Sequence, residues 1–354
     1  MAEQKRSGRI TQKRIAELAG VSQATVSLVL NGKEDGTNRI PEATRQRVLD
    51  VIRGSEYVAD PAARRLAGVG NKIFGVFTYE PAFPKDNADF YTPLLQGIES
   101  AAEQIGVDLL LSTSTPVVDG RRQLLHEGNR IRLSDGCLLL GRRMDRDELS
   151  RLLASGFPFV AIGRREEPKV PFVGIDYRSA TASLANRAID LGHRRFAYVY
   201  TDIDTDVESA VDRRNGVEDA VNAHADVELS EIAWQLNDPA GLWAALMASR
   251  PTVLFVESME HAACLRILAT SAGLSVPGDL SMVVLSDALR DNDSTTDFTR
   301  LSPPRGELGS AAVHLLARIL DADDDVPEAD LETLLDCPTI DGRTLAAAPE
   351  ERVP

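Results

Sequence analysis

The chain has 354 residues, which suits two or three domains, and 43% of them are hydrophobic, which excludes a disordered chain. No run reaches the roughly 18 consecutive apolar residues of a membrane span, and the polar, basic start MAEQKRSGRITQKR has no apolar run behind it, so the expected setting is the cytoplasm. The net charge of −15 is unevenly spread: residues 1–70 hold 12 Lys+Arg against 8 Asp+Glu, the rest 27 against 46. A basic head on an acidic body suits a head that meets phosphates and a body that repels them.

The first predicted elements are helical. Thr11 can cap a helix whose apolar side is Ile15, Leu18 and Ala19, and Gly20 breaks it. Ser22 can cap a second helix, with Val26, Val29 and Leu30 on one face and Asn31-Gly32 at its end. Glycine permits the sharp turn between them and Val21 can pack inside it, which is the shape of a helix-turn-helix. A third helix starts at Pro41 and buries Val48, Leu49 and Ile52. Three-helix bundles that bind no DNA share this pattern, so periodicity alone leaves both readings open. Asp60-Pro61 then opens a short helix through Leu66, ended by Ala67-Gly68-Val69-Gly70. So short a helix is marginal alone, and an ordinary linker is the alternative.

From Lys72 onward short apolar runs alternate with amphipathic helices. Strands are expected at KIFGVFTY (from Lys72), VDLLLST (Val107), DGCLLL (Asp135), FPFVAIG (Phe157), PFVGID (Pro171), RRFAYVY (Arg194), TVLFVE (Thr252) and LSMVVL (Leu280). Helices such as YTPLLQGIESAAEQIG and SATASLANRAIDLG lie between them. This indicates parallel α/β sheets, and about 280 residues of it suggests two lobes. Ligands bind such sheets beyond the carboxyl ends of the strands.

IAELAGVSQATVSLVLNG closely resembles the signature that opens LacI/GalR repressors, and PEATRQRVLDVI and SEYVADPAARRLAG resemble that family's third helix and hinge helix. VGIDYRSATASLANRAIDLGHRRFAYV, DRRNGVEDAV and VPGDLSMVVLSD resemble segments of its core more loosely. The resemblance implies an all-α helix-turn-helix domain at 1–58, a hinge at 59–71, and a two-lobed, periplasmic-binding-protein-like α/β core at 72–354. The implied protein is a DNA-binding transcriptional regulator, read as a repressor, that recognises palindromic operator DNA as a homodimer or higher oligomer and associates with the nucleoid. Its implied effector is a small polar metabolite, a sugar among the candidates.

In that frame Gln23 can pair with adenine, while Ala24 and Leu28 can touch a thymine methyl. Thr11, Ser22, Thr25 and Ser27 offer hydroxyls to phosphates. The resemblance makes Leu66 a minor-groove wedge flanked by Arg64 and Arg65. It also makes Arg213 the arginine aimed at the effector. Glu257-Ser258 and Ser286-Asp287 depart from the acidic and amide pairs usual at two pocket positions, so Glu257 and Asp287 are expected beside an altered sugar clamp. Tyr79, Phe90, Tyr91, Arg164 and Trp234 are candidates for the cleft wall, with core or rim positions as the alternative.

Cys137, Cys264 and Cys337 are far apart and odd in number, so they read as small core residues rather than a disulfide or metal set. Five scattered histidines lack ligand spacing, and His193, just before a strand, reads as structural. No cofactor, metal or catalytic residue is expected. Two rival classes stay open: a transporter-type solute-binding protein, against which the head counts, and an α/β enzyme, for which no nucleophile or phosphate-cradling motif speaks.

Overall fold

A computed structural model describes residues 10–31, 40–55, 70–81, 91–118, 120–201, 205–234, 238–287, 297–322 and 326–350. The chain divides into two compact units, Met1–Ile73 and Phe74–Pro354.

The first unit contains α1 (Gln12–Ala19), α2 (Gln23–Asn31) and α3 (Glu42–Arg53). Thr11 caps α1 by accepting the Arg14 amide at 3.3 Å. Gly20 ends α1 at φ 65°, a left-handed conformation that costs a side chain, and its amide closes onto the Ala16 and Glu17 carbonyls. Ile15, Ala16, Ala19, Val26, Val29 and Val48 form a small core, with Val21, Leu30, Leu49 and Ile52 packed around it. Leu18, expected inside, is 52% exposed. The buried stripe of so short a helix centres on Ile15, Ala16 and Ala19, which turns Leu18 outward. Arg47 Nε donates to the Ala19 carbonyl at 2.9 Å and ties α3 to the end of α1.

The second unit has two α/β lobes. In chain order it runs β1 (Ile73–Thr78), α4 (Thr92–Ile105), β2 (Asp108–Ser112), β3 (Val117–Val118), β4 (Arg121–Arg122), β5 (Gly136–Leu140), α5 (Arg146–Ala154), β6 (Phe159–Ile162), β7 (Phe172–Asp176) and α6 (Tyr177–Asp190). It continues with β8 (Arg195–Tyr200), α7 (Glu208–Asn222), β9 (Glu228–Ala233), α8 (Pro239–Ala248), β10 (Val253–Val256), α9 (Met259–Ser271), β11 (Ser281–Val284) and β12 (Thr299–Leu301). Last come α10 (Arg305–Asp321), α11 (Glu328–Leu331), β13 (Glu332–Asp336) and β14 (Thr339–Ile340).

The first lobe's sheet has the order β13-β7-β6-β5-β1-β2, the second lobe's β14-β12-β11-β10-β8-β9. β5, β6, β7 and β13 run parallel, as do β8, β10, β11 and β12. All eight expected strands form, one or two residues shorter at their ends. β3, β4, β9, β12, β13 and β14 are additions.

Central strands read as continuous apolar runs because both faces are covered. Leu138 and Leu140 face the cluster that holds Leu94, Ile98, Leu308 and Leu316 of α4 and α10. Cys137 and Leu139 face Leu149 and Leu152 of α5. In the second lobe Phe196, Tyr198 and Phe255 lie on one side of the sheet, and Ala197, Val199, Leu254 and Val256 on the other.

The backbone crosses between lobes three times: from β7 into α6, from β12 into α10, and from β13 to β14. The C-terminal segment then lies along the second sheet, where the Met282 amide donates to the Thr344 carbonyl at 2.7 Å. His193 is fully buried there, between Thr252 Oγ1 and the Ala346 carbonyl at 2.9 Å each, so it is structural as expected. Cys137 and Cys337 are buried, but Cys264 is exposed on α9, on the outward side that also carries exposed Ile267.

Candidate functional site

In the first unit α2 presents its N-terminal turn to solvent. Ser22 Oγ accepts the Thr25 amide at 3.1 Å and lies 2.9 Å from Thr25 Oγ1. Capping therefore occupies the hydroxyls of Ser22 and Thr25, while Gln23 and Ala24 stand free of the core. Thr11 is exposed, and Ser27 and Leu28 are half-buried on the flank of α2. Leu66, Arg64 and Arg65 lie outside the described residues, as does Phe90.

In the second unit the carboxyl ends of the two sheets enclose a cleft. Each sheet reverses its strand order once, between β1 and β5 in the first lobe and between β8 and β10 in the second. Side chains just beyond those strands therefore meet at the cleft. Glu80 follows β1, accepts the Tyr91 hydroxyl at 2.7 Å and takes the Arg142 amide at 3.2 Å. In the second lobe Glu257 follows β10 and accepts the Tyr198 hydroxyl at 2.7 Å and the Thr201 amide at 3.4 Å. Burial raises both phenols well above the usual tyrosine range, reinforced by the neighbouring Glu80 or Glu257, so each hydroxyl is a fixed donor.

One cavity of about 280 Å³ is lined by Arg142, Tyr177, Thr201, Ser209, Arg213, Glu257, Ser286, Asp287 and Arg305, among others. A second, of about 120 Å³, shares Arg142, Tyr177, Ser209 and Arg305 and adds Tyr91, Arg164 and Arg165. Arg213 lies over the Tyr177 ring, 5.0 Å from its centroid. Gly216, three residues on, explains the R-x-x-G spacing: a Cβ there would overlap the Arg178 carbonyl where α7 packs on α6. That close approach holds α7 where Arg213 reaches the cavity. Asp287 is held by Arg300 Nε and Ser302 Oγ, both at 2.8 Å.

Ion pairs cross the cleft. Arg164 grips Asp212 with Nε and Nη2 at 2.7 and 2.8 Å, and Arg165 Nη1 meets Glu208 at 2.7 Å. Arg143 pairs with Asp206. The three arginines follow β5 and β6, and the three carboxylates lie at and just before the first turns of α7.

The structure thus brings Tyr91, Arg164, Arg213, Glu257 and Asp287 to one cleft, although Arg164 is committed to Asp212. Tyr79 is not in it: the ring is buried edge-on against Phe77, and the residue lines a groove with Arg121, Arg122 and Glu148. Trp234 stacks on His261 in the first turn of α9, with centroids 3.9 Å apart, and is not among the residues lining either cavity. Arg142, Tyr177, Ser209 and Arg305 went unnoticed in the sequence. Each sits at a strand end or the start of a helix, which was the available signal.

Two family models match. Residues 11–60 match "Bacterial regulatory proteins, lacI family", and residues 185–343 match the periplasmic binding protein-like domain. Residues 11–60 are thus a lacI-family helix-turn-helix domain, joined in one chain to a periplasmic-binding-protein-like domain. The chain's relatives are lacI-family regulators of DNA transcription along nearly their whole length. The HTH-type transcriptional regulator CelR of Thermobifida fusca is 29% identical over 330 residues, 88% of this chain and 92% of that one. Catabolite control protein A of Priestia megaterium is 26% identical over 314 residues, 86% and 91% of the two chains. Among solved structures, the lac repressor dimer bound to operator and the anti-inducer ONPF aligns with a TM-score of 0.66 at 20% identity, covering 96% of this chain and 100% of that one. A CelR–cellobiose complex aligns with a TM-score of 0.60 at 24% identity, covering 95% and 100%. The chain is therefore a DNA-binding transcriptional regulator with a helix-turn-helix head and an α/β core of parallel sheets. Among its described residues no helix is long and apolar enough to cross a membrane, and no group of His, Cys, Asp or Glu is placed to hold a metal.

Proposed function

We propose that this regulator represses transcription by binding a palindromic operator as a homodimer, and that a small polar metabolite in the cleft of the core changes its operator affinity. The supporting observation is that one chain carries both an exposed first turn on α2 and a ligand-sized cleft. Residues 1–58 act as the reader, 59–71 as the hinge and 72–354 as the sensor. Gln23, Ala24 and Leu28 face base edges, and Thr11, Ser22, Thr25 and Ser27 face phosphates. Arg64, Arg65 and Leu66 belong to the minor-groove contact. Arg213, with Tyr91, Glu257 and Asp287 around it, serves the ligand. The cellobiose bound to CelR makes a sugar skeleton a reasonable starting point. Exposed Leu109, Val117, Val118 and Leu133 on the first lobe support self-association.

Footprinting and titration of the full chain against mapped genomic sites test this. A two-fold protein should protect a two-fold site, with affinity falling steeply with salt. Arg213→Ala should abolish the metabolite's effect while leaving unliganded operator binding nearly intact. Binding to DNA without sequence preference would overturn the proposal.

A further inference from the structure

The cleft sets three guanidinium groups and three carboxylates in the wall of one cavity. Arg142 stands just beyond β5 in the first lobe, Arg213 in the second turn of α7, and Arg305 at the start of α10, where the chain re-enters the first lobe. All three line the same cavity of about 280 Å³. The carboxylates in that wall already have protein donors. Glu257 takes Tyr198 and Thr201, Glu260 takes Ser258 Oγ at 2.6 Å, and Asp287 takes Arg300 and Ser302. Those bonds fix the carboxylates in place and leave them lone pairs for a ligand hydroxyl.

Arg213 is different. Its guanidinium is stacked on Tyr177, and its Nε is buried with no hydrogen-bond partner. A buried N–H left unmade is costly, more so on a charged group. Arg142 loses some of its basicity, first to burial and then to Arg213 and Arg143, with Glu80 and Tyr91 opposing. Neither α7 nor α10 has a side-chain cap at its start, and both begin in this wall, so their positive ends add to the field.

We propose that the ligand of this cleft bears an oxyanion, a carboxylate or phosphate, which Arg213 binds together with Arg142 and Arg305. This rests on the reading of the cleft as the effector site. The oxyanion would relieve the repulsion between Arg142 and Arg213 and suits the paired geometry that arginine offers. Thr201, Ser209 and Ser286 leave hydroxyls for the uncharged part of the ligand. The expected class is a sugar acid, sugar phosphate or other small acid.

The test uses the full chain and four probes at matched ionic strength in a chloride background: inorganic phosphate, D-gluconate, D-glucose and cellobiose. Binding is read by calorimetry and melting temperature, and operator release by fluorescence anisotropy. Phosphate or gluconate should bind at least tenfold more tightly than D-glucose. Arg142→Gln and Arg305→Gln, made separately in case one fails to fold, should each reduce that oxyanion affinity about tenfold. A response to phosphate alone, or to gluconate alone, tells which oxyanion is preferred. If neither binds, or if binding persists equally in both variants, the inference falls. Operator release by D-glucose or cellobiose would then leave the effector reading standing without the anion.

Discussion

The two lobes of the core share a layered construction but bring opposite charges to the surface where they meet. The first lobe contributes Arg142, Arg143, Arg164 and Arg165, all just beyond β5 and β6. The second contributes Asp206, Glu208 and Asp212 at the start of α7, and Glu257 and Asp287 beyond its own strands. One continuous apolar cluster runs through both lobes, and complementary charge is added where their cleft faces water. Hydrophobic burial tolerates small displacements poorly, because close-packed interiors do not deform smoothly. Ion pairs at a water-accessible seam part and re-form at lower cost. The difference places the yielding surface of this molecule at the charged face of the cleft.

The strongest challenge to this comparison is Arg165→Met. Arg165 is only 3% exposed, meets Glu208 at 2.7 Å, and also donates to the Gly141 carbonyl at 2.9 Å. Removing it should cost about 3 kcal/mol of core stability, since Glu208 and a buried carbonyl lose their donor; urea unfolding measures this. An unchanged midpoint would show that apolar contact, not charge, holds the seam. Next in size is a double-mutant cycle on Arg164 and Asp212. Their bidentate geometry predicts a coupling of about 2 kcal/mol, and the exchanged pair Arg164→Asp with Asp212→Arg should recover part of it. Additive single mutants would break the argument.

A smaller effect separates the lobes by pH. Burial, with a minor push from Arg194, lowers the His193 pKa below its ordinary 6.5, against the bond to Ala346. The unfolded chain therefore takes up the proton first on acidification. The stability this supplies is complete above about pH 6.5 and is lost as pH falls towards the depressed folded value. His193→Gln should flatten that slope, as read by melting curves between pH 7.5 and 5.5. A slope that survives the substitution would assign it elsewhere. Smallest of all is Arg143→Gln. Asp206 is 69% exposed, so the change should stay within about 0.5 kcal/mol. A larger loss would mean the seam extends further towards solvent.

The head was legible because its function is local. Thr11, Gly20 and Ser22 act on residues three or four places away, and a cap or a left-handed turn writes itself into adjacent letters. The central strands were legible for a related reason: VLFV and GCLLL are buried on both faces and have no polar alternation to confuse the reading. The late strands were not. In β9 the sequence ELSEIA is half-exposed at a sheet edge, and β12 is only three residues long. The cleft was read in part. Arg213 came through the R-x-x-G likeness, but Arg142 and Arg305 lie 163 residues apart and meet only because the chain returns to the first lobe. Tyr79 and Trp234 stay open in the sequence between cleft wall and core or rim, because an aromatic at a strand end can turn either way. Only packing against Phe77 and His261 decides which.

The returning chain has a consequence for synthesis. β7 cannot receive its outer neighbour, β13, until Glu332–Asp336 has been made, and α10, which covers β5, β6 and β7, is scarcely earlier. By then β8, β10, β11 and β12 have already been translated. On a ribosome that delivers about 5–20 residues each second, the lobe begun first receives its outer strand only just before β14 and the following segment join the second lobe. For several seconds its exposed β7 edge and uncovered sheet face wait for a partner encoded far downstream.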